Sequence, residues 1–148
     1  MSIHFRLNST STQPLETLFG RSLNIEDHVA SMAASGENAV GGVRAGEIGL
    51  GESVTWQARH FGINFRMTSL ITELDAPHGF VDQQIKGPFR DFRHEHRFTT
   101  DDGCTTMIDD ITFTAPFGPL GWLVERLVLA RYLRRLIEAR NDYLCRSV

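Results

Sequence analysis

The sequence has little with which to build disulfides. Its 148 residues include 2 cysteines, Cys104 and Cys145, which lie far apart and in no C-x-x-C arrangement. That spacing argues against a disulfide framework or a zinc ribbon and leaves each as an expected free thiol. Long apolar runs are also missing, so no membrane-spanning segment and no stable membrane insertion are expected. The opening MSIHFRLNSTSTQ has neither the basic start nor the apolar stretch of a secretory signal, which points to a cytoplasmic protein. Excess charge is small: a formal net charge of −3 gives no global pull on nucleic acid, so none is expected as a partner. There is no low-complexity tract, internal repeat or long linker. Nor is there a serine nucleophile motif, P-loop, dinucleotide fingerprint or cysteine nucleophile context.

What remains is an ordinary globular balance, with 41% hydrophobic and 22% charged residues. It suits one domain over residues 1–148 with a core of its own. IHFRLN alternates and begins the chain as a strand. Thr12-Gln13-Pro14 opens a short helix through Leu15, Leu18 and Phe19, which Gly20 can end. Asn24 caps a second short helix, with Asp27 in its first turn and Ser35-Gly36 beyond its end.

From residue 38 to 115 the rhythm is period two, broken at Gly49-Leu50-Gly51, Gly62, Asp75-Ala76-Pro77, Gly87-Pro88 and Asp102-Gly103. These breaks separate about six strands, too closely spaced for crossovers and therefore antiparallel neighbours. Pro116, Gly118, Pro119 and Gly121 end the sheet. A long helix then runs from Leu120 to about Leu144, with Leu120, Leu123, Val124, Leu127, Ala130, Leu133, Leu136 and Ile137 as its apolar stripe. Arg126, Arg131, Arg134, Arg135 and Arg140 are read as its solvated opposite face. The class is α+β: a curved seven-stranded antiparallel sheet around a long C-terminal helix, with two short helices after the first strand.

The segment DFRHEHRFTTDDGCTTMIDDITF, residues 91–113, carries the chemistry. Phe92, His94, His96 and Phe98 share one strand face, and Asp91, Arg93, Glu95 and Arg97 share the other, which must meet water. A two-residue turn at Asp102-Gly103 sets His96 opposite Asp109, Phe98 opposite Met107, His94 opposite Ile111 and Phe92 opposite Phe113. A loop two residues longer would bring His94 opposite Asp109 instead. The plainer interpretation is a satisfied polar pair inside a core; the functional one is the polar end of a cavity. A metal is the third option, since H-x-H places two imidazoles on one side and Asp109 could add a ligand. The cupin family uses such a pair but continues to a glutamate, whereas here His96 is followed by RFTTDDG, so no metal is expected. In VTWQARHF, Val54, Trp56, Ala58 and His60 share a face, and Trp56 could stack on a flat ligand. His60 lies near an expected bulge at Gly62. Asp82 and Gln84 share a face with Phe80, whose direction stays open, and Arg59 and Arg66 are read as solvated.

The order of elements, with VTWQARHFG (54–62), ITELDAPHGFVDQQIKGPFRDFRHEHRF (71–98) and ITFTAPFGPLG (111–121), resembles bacterial polyketide cyclase/dehydrase-like members of the START-like helix-grip superfamily, also called SRPBCC. The resemblance runs over nearly the whole chain. It implies the helix-grip fold and an apolar cavity between sheet and C-terminal helix, whose lining sets ligand specificity. Val54, Trp56, His60, Met67, Ile71, Phe92, Phe98, Met107, Ile111, Phe113 and Leu127 are the candidate apolar and aromatic lining, and His94, His96 and Asp109 the candidate polar end. The expected partner is a small hydrophobic or aromatic molecule, such as a lipid, quinone or polyketide-like compound, and no cofactor is expected. One alternative is a cyclase/dehydratase-like enzyme in which His94 or His96 moves a proton and Asp109 fixes its tautomer. Another is a protein–protein adaptor with a vestigial cavity. Oligomeric state is left open.

Overall fold

The computed structural model describes residues 2–116, 118, 123 and 125–146. Strand β1 (Ile3–Ser11) is followed by helices α1 (Leu15–Leu23) and α2 (Ile25–Ser31) and a 3-10 turn at Ala33–Ser35. Strands β2 (Asn38–Gly42), β3 (Ser53–His60), β4 (Ile63–Asp75), β5 (Gly79–Lys86), β6 (Asp91–Asp101) and β7 (Cys104–Thr114) come next. A π-helical turn at Glu125–Leu129 leads into helix α3 (Ala130–Arg146). The sheet order is β1-β7-β6-β5-β4-β3-β2, and every pair is antiparallel. This is the α+β helix-grip arrangement that the sequence resemblance implies.

Local chemistry explains the connections. Asp102 and Gly103 both take positive φ, 49° and 76°, the conformation of a two-residue hairpin turn whose twist matches that of the strands. The turn fixes His96 opposite Asp109 and keeps Phe98, Met107, Ile111 and Phe113 on the inner face. Phe61 and Gly62 repeat the geometry, with φ of 55° and 75°, so the expected bulge at Gly62 is instead a hairpin turn that sets His60 opposite Ile63. Bulges occur elsewhere, between Ala39 and Gly41 in β2 and at Thr68/Ser69 and Ile71/Glu73 in β4, where they bend the strands.

Gly20 does not end α1. The helix continues to Leu23 because Leu18, Phe19, Ser22 and Leu23 are all buried, and this packing outweighs the weak helix propensity of glycine. Asn24 does cap α2, its side chain accepting the Asp27 N–H. Two apolar clusters flank the middle of the sheet's inner face. One joins Phe98, Met107, Phe80 and Ile71 to Leu18, Phe19 and Leu23 of α1 and Leu144 of α3. The other joins Phe92, Ile111 and Phe113 to Leu129, Leu133 and Ile137. Each fully buried large side chain contributes about 1.5–3 kcal/mol.

The expected helical stripe changes phase at its start. A π turn takes in an extra residue and so rotates the side chains on either side of it relative to one another. Leu127 is accordingly 59% exposed, and Leu123 is exposed as well. Val128, Leu129, Leu133, Leu136 and Ile137 face the cavity instead. Leu120, Val124, Pro119 and Gly121 lie outside the described residues, as does the side chain of Arg126.

Candidate functional site

Between sheet and α3 lies a cavity of about 560 Å³, within the range of sites that enclose a small organic molecule. Its wall is mostly apolar. Val54, Trp56, Ala58, Met67 and Ile71 come from β3 and β4, Phe80 and Phe92 from β5 and β6, and the α3 side chains close the other side. His60, His94 and His96 also line it. Five candidates lie elsewhere: Phe98, Met107, Ile111 and Phe113 are nearly or wholly inaccessible and pack in the two apolar clusters, and Asp109, with no accessible surface, is bonded to His94 outside the cavity lining. Leu127 likewise is not on the cavity wall, because the π turn directs it to solvent.

The polar end sits between the two clusters, where the alternation Phe92, His94, His96, Phe98 places the imidazoles. The rings stack on each other at 3.7 Å, and His96 stacks on Phe80 at 4.0 Å. Each histidine faces one carboxylate across the sheet and bonds to the other. Asp109 is the ladder partner of His96, yet His94 Nε2 donates to Asp109 Oδ1 at 2.6 Å. Asp82 is the ladder partner of His94, yet His96 Nε2 donates to Asp82 Oδ2 at 2.6 Å. His96 Nδ1 stands 3.3 Å from Asp109 Oδ1 without a hydrogen bond. From α3, Asn141 Nδ2 donates to Asp109 Oδ2 at 2.7 Å, and Arg140 Nη1 donates to Asn141 Oδ1 at 2.9 Å.

These contacts set the charges. Burial pushes the Asp109 carboxyl up, but the interactions with His94 and His96 outweigh it and hold the group well below the usual carboxylate range. Asp82 is lowered for the same reason, burial being outweighed by His96. Burial lowers His94, and the neighbouring His96 charge lowers it further. Burial opposes the charge on His96 too, yet Asp109 and Asp82 together leave it raised. His96 is therefore the more readily charged of the two and His94 the less. A neutral His94 that donates from Nε2 carries a lone pair on Nδ1, which makes no hydrogen bond among the described residues.

Two smaller polar pairs interrupt the apolar wall. His28 Nε2 meets Glu37 Oε1 at 2.6 Å, and Trp56 packs on the His28 ring at 4.2 Å. His60 Nδ1 bonds the Tyr132 hydroxyl at 2.7 Å, while Phe61 lies against the Tyr132 ring at 4.6 Å. Burial lowers the His60 pKa.

Asp82, His94 and His96 bring one potential metal-ligating atom each within 4.8 Å of one another. The third member is thus Asp82, and not the Asp109 that the sequence suggests. Ligands about 2.0–2.1 Å from a tetrahedral zinc stand roughly 3.3 Å apart. The 2.6 Å separation of His96 Nε2 and Asp82 Oδ2 is instead that of two groups sharing a proton.

Arg140 and Asn141 are the residues that sequence reasoning misses. The charge pattern puts Arg140 on the solvated face of the helix, but it is 2% exposed and lines the cavity. A signal is present: Arg140 stands three residues after Ile137 and four before Leu144, which continues the inward stripe at helical spacing. Asp82 is detectable only as a strand-mate of Phe80.

No protein-family model matches the chain, and no curated protein does. Solved structures do. The fold is similar to that of the Zhui aromatase/cyclase from Streptomyces sp. R1128, with TM-score 0.78 and 15% identity over 98% of this chain and 92% of that one. It is similar to Ara h 8.0201, with TM-score 0.67 and 16% identity over 97% and 98% of the two chains. A ginseng major latex-like protein 151 from Panax ginseng gives TM-score 0.62 and 12% identity over 96% and 97%. At these identities the likeness is one of fold.

Proposed function

We propose that this chain, which has the START-like helix-grip fold, binds one small hydrophobic or aromatic molecule whose polar group meets the His94–His96 end of the cavity. The observation that carries this reading is a mostly apolar cavity of about 560 Å³ that ends on a buried polar cluster. A core kept only for stability fills such space, since an empty volume forfeits packing; for the same reason the cavity speaks against an adaptor with a vestigial interior. Trp56 and Phe92 offer flat surfaces for a ring, and His94 Nδ1 offers an acceptor. Native mass spectrometry of freshly purified protein, with titration by the neutral apolar fluorophore N-phenyl-1-naphthylamine, tests it. Saturable one-to-one uptake of the dye is expected; a protein that carries no small molecule and takes up no dye does not have this function.

A second reading rests on one geometric detail. Asp109 behind His94 holds the Nε2–H and leaves Nδ1 as the basic atom, which is how a general base is oriented. That arrangement would suit proton abstraction from an enolisable, polyketide-like substrate. Exchange of the acidic C–H protons of a β-diketone in deuterated buffer, faster with protein than without and lost in His94→Gln, would support the enzyme. Binding without such exchange supports the carrier.

A further inference from the structure

The cavity holds a cation for which the binding function above has no use. Arg140 is the only arginine or lysine among the described residues lining it. Its side chain is 3% exposed. Nη1 donates to Asn141 Oδ1 at 2.9 Å and stands 3.7 Å from Asp109 Oδ1. The guanidinium makes no other hydrogen bond among the described residues. Nε and Nη2 are nevertheless not among the buried side-chain atoms that lack a partner, so they reach open space, and the space beside Arg140 is the cavity.

The ion pair with Asp109, Nη1 to Oδ1 at 3.7 Å, accounts for only part of this placement. Asp109 already accepts from His94 on one oxygen and from Asn141 on the other, and Arg140 stays beyond hydrogen-bond distance of it. A guanidinium withdrawn from water with bare donors is unfavourable unless an acceptor arrives. Its planar fork matches a carboxylate with two parallel hydrogen bonds. One cation suits one negative charge, and the apolar wall suits a body without further charges. The nearby carboxylates do not bar an anion, because Asp109 is covered by His94 and Asn141 and Asp82, which also faces the cavity, is paired with His96.

We propose that Arg140 receives the carboxylate of an amphipathic acid whose apolar chain or ring fills the cavity. This rests on the ligand-binding function proposed above and narrows its ligand to a class.

The test uses the full chain loaded with N-phenyl-1-naphthylamine, displaced by two matched pairs: dodecanoate against dodecanol for a chain, and 2-naphthoate against 2-naphthol for a ring. The acid of at least one pair should displace the dye at a concentration about tenfold or more below its alcohol, the scale of a charged hydrogen-bond pair. The pair that shows the preference identifies the shape of the body. Arg140→Gln should abolish the preference and Arg140→Lys should keep part of it, each read as the ratio of acid to alcohol within one protein, with circular dichroism and the thermal midpoint as the check that the fold is intact. Equal displacement by acid and alcohol in both wild-type pairs overturns the proposal, whatever the variants do. So does a preference that survives in Arg140→Gln. Failure of the dye to bind wild-type protein overturns the ligand-binding function itself, and this inference with it.

Discussion

Asp109 faces His96 across the β6–β7 ladder but takes its 2.6 Å hydrogen bond from His94, two residues away on the same strand as His96. The diagonal accompanies a stack of the two imidazoles at 3.7 Å, and it separates the two carboxylates in role. Asp109 has no accessible surface and stays behind the histidines. Asp82 faces the cavity.

The first prediction rests on that separation. Asp109→Asn leaves the buried His96 and Arg140 charges short of their counter-charge and turns one acceptor into a donor that meets His94 or Asn141. It should lower stability by about 3–5 kcal/mol. Asp82→Asn removes a carboxylate that can still exchange with whatever enters the cavity, and should cost about 1–2 kcal/mol while altering ligand affinity. Urea unfolding of both variants, with dye titration on the same samples, decides the matter. Equal destabilisation by the two would remove the distinction between a hidden and a cavity-facing carboxylate.

The second concerns pH. His96 is raised by Asp109 and Asp82 against the effect of burial, so its stabilising contribution is complete below the ordinary histidine value, roughly 6.5, and is lost as pH climbs through the raised value. His94 is lowered by burial and by His96, and His60 by burial. Their contribution is present above roughly 6.5 and is lost as pH falls through the lowered values. The opposed slopes give a stability maximum near the ordinary histidine value. Urea midpoints across roughly pH 5–8, the range in which histidine charge changes, should trace that dome. His94→Gln should flatten its acid side, and a monotonic profile in the wild type would contradict the assignment of charge. At far lower pH, Asp110 on the outer face, held at about 2 against burial by Arg6, Arg97 and His4, adds stability that disappears as pH falls below the ordinary carboxylate range toward that value.

Much of this site is legible in the sequence because strands have a strict period. Once Asp102-Gly103 is read as a two-residue turn, His94, His96 and Asp109 are forced onto one face and the ladder partners are set. How side chains cross that ladder is not legible: pairing gives the partner of a Cα, whereas hydrogen bonds go where rings and carboxylates lean. The contribution of β5 stays open because Asp82 lies on a strand with only Phe80 and Val81 as apolar markers near it. The helix misleads for a different reason. Its charge pattern looks like a solvated face, yet Arg140 and Asn141 interrupt the apolar stripe at the level where His94 and His96 interrupt the Phe92–Phe98 alternation. A buried polar residue on one element is the sign of a polar layer on the other.

The last prediction is independence from metal. Asp82, His94 and His96 have the composition of a three-ligand site, and their potential ligand atoms lie within 4.8 Å. Two features favour protons over an ion. The His96–Asp82 pair is closed to 2.6 Å, shorter than two ligands on one zinc can approach, and two carboxylates raise the His96 pKa against the effect of burial, whereas a metal needs a bare nitrogen. Chelation with EDTA and dialysis should therefore leave the thermal midpoint unchanged, and elemental analysis after mild purification should find no stoichiometric zinc, iron or nickel. Zinc added afterwards should not raise the midpoint, because any ion must first displace the proton between His96 and Asp82. A rise that saturates at one equivalent and vanishes in Asp82→Asn would show instead that the cluster is a metal centre whose proton had taken the place of the ion.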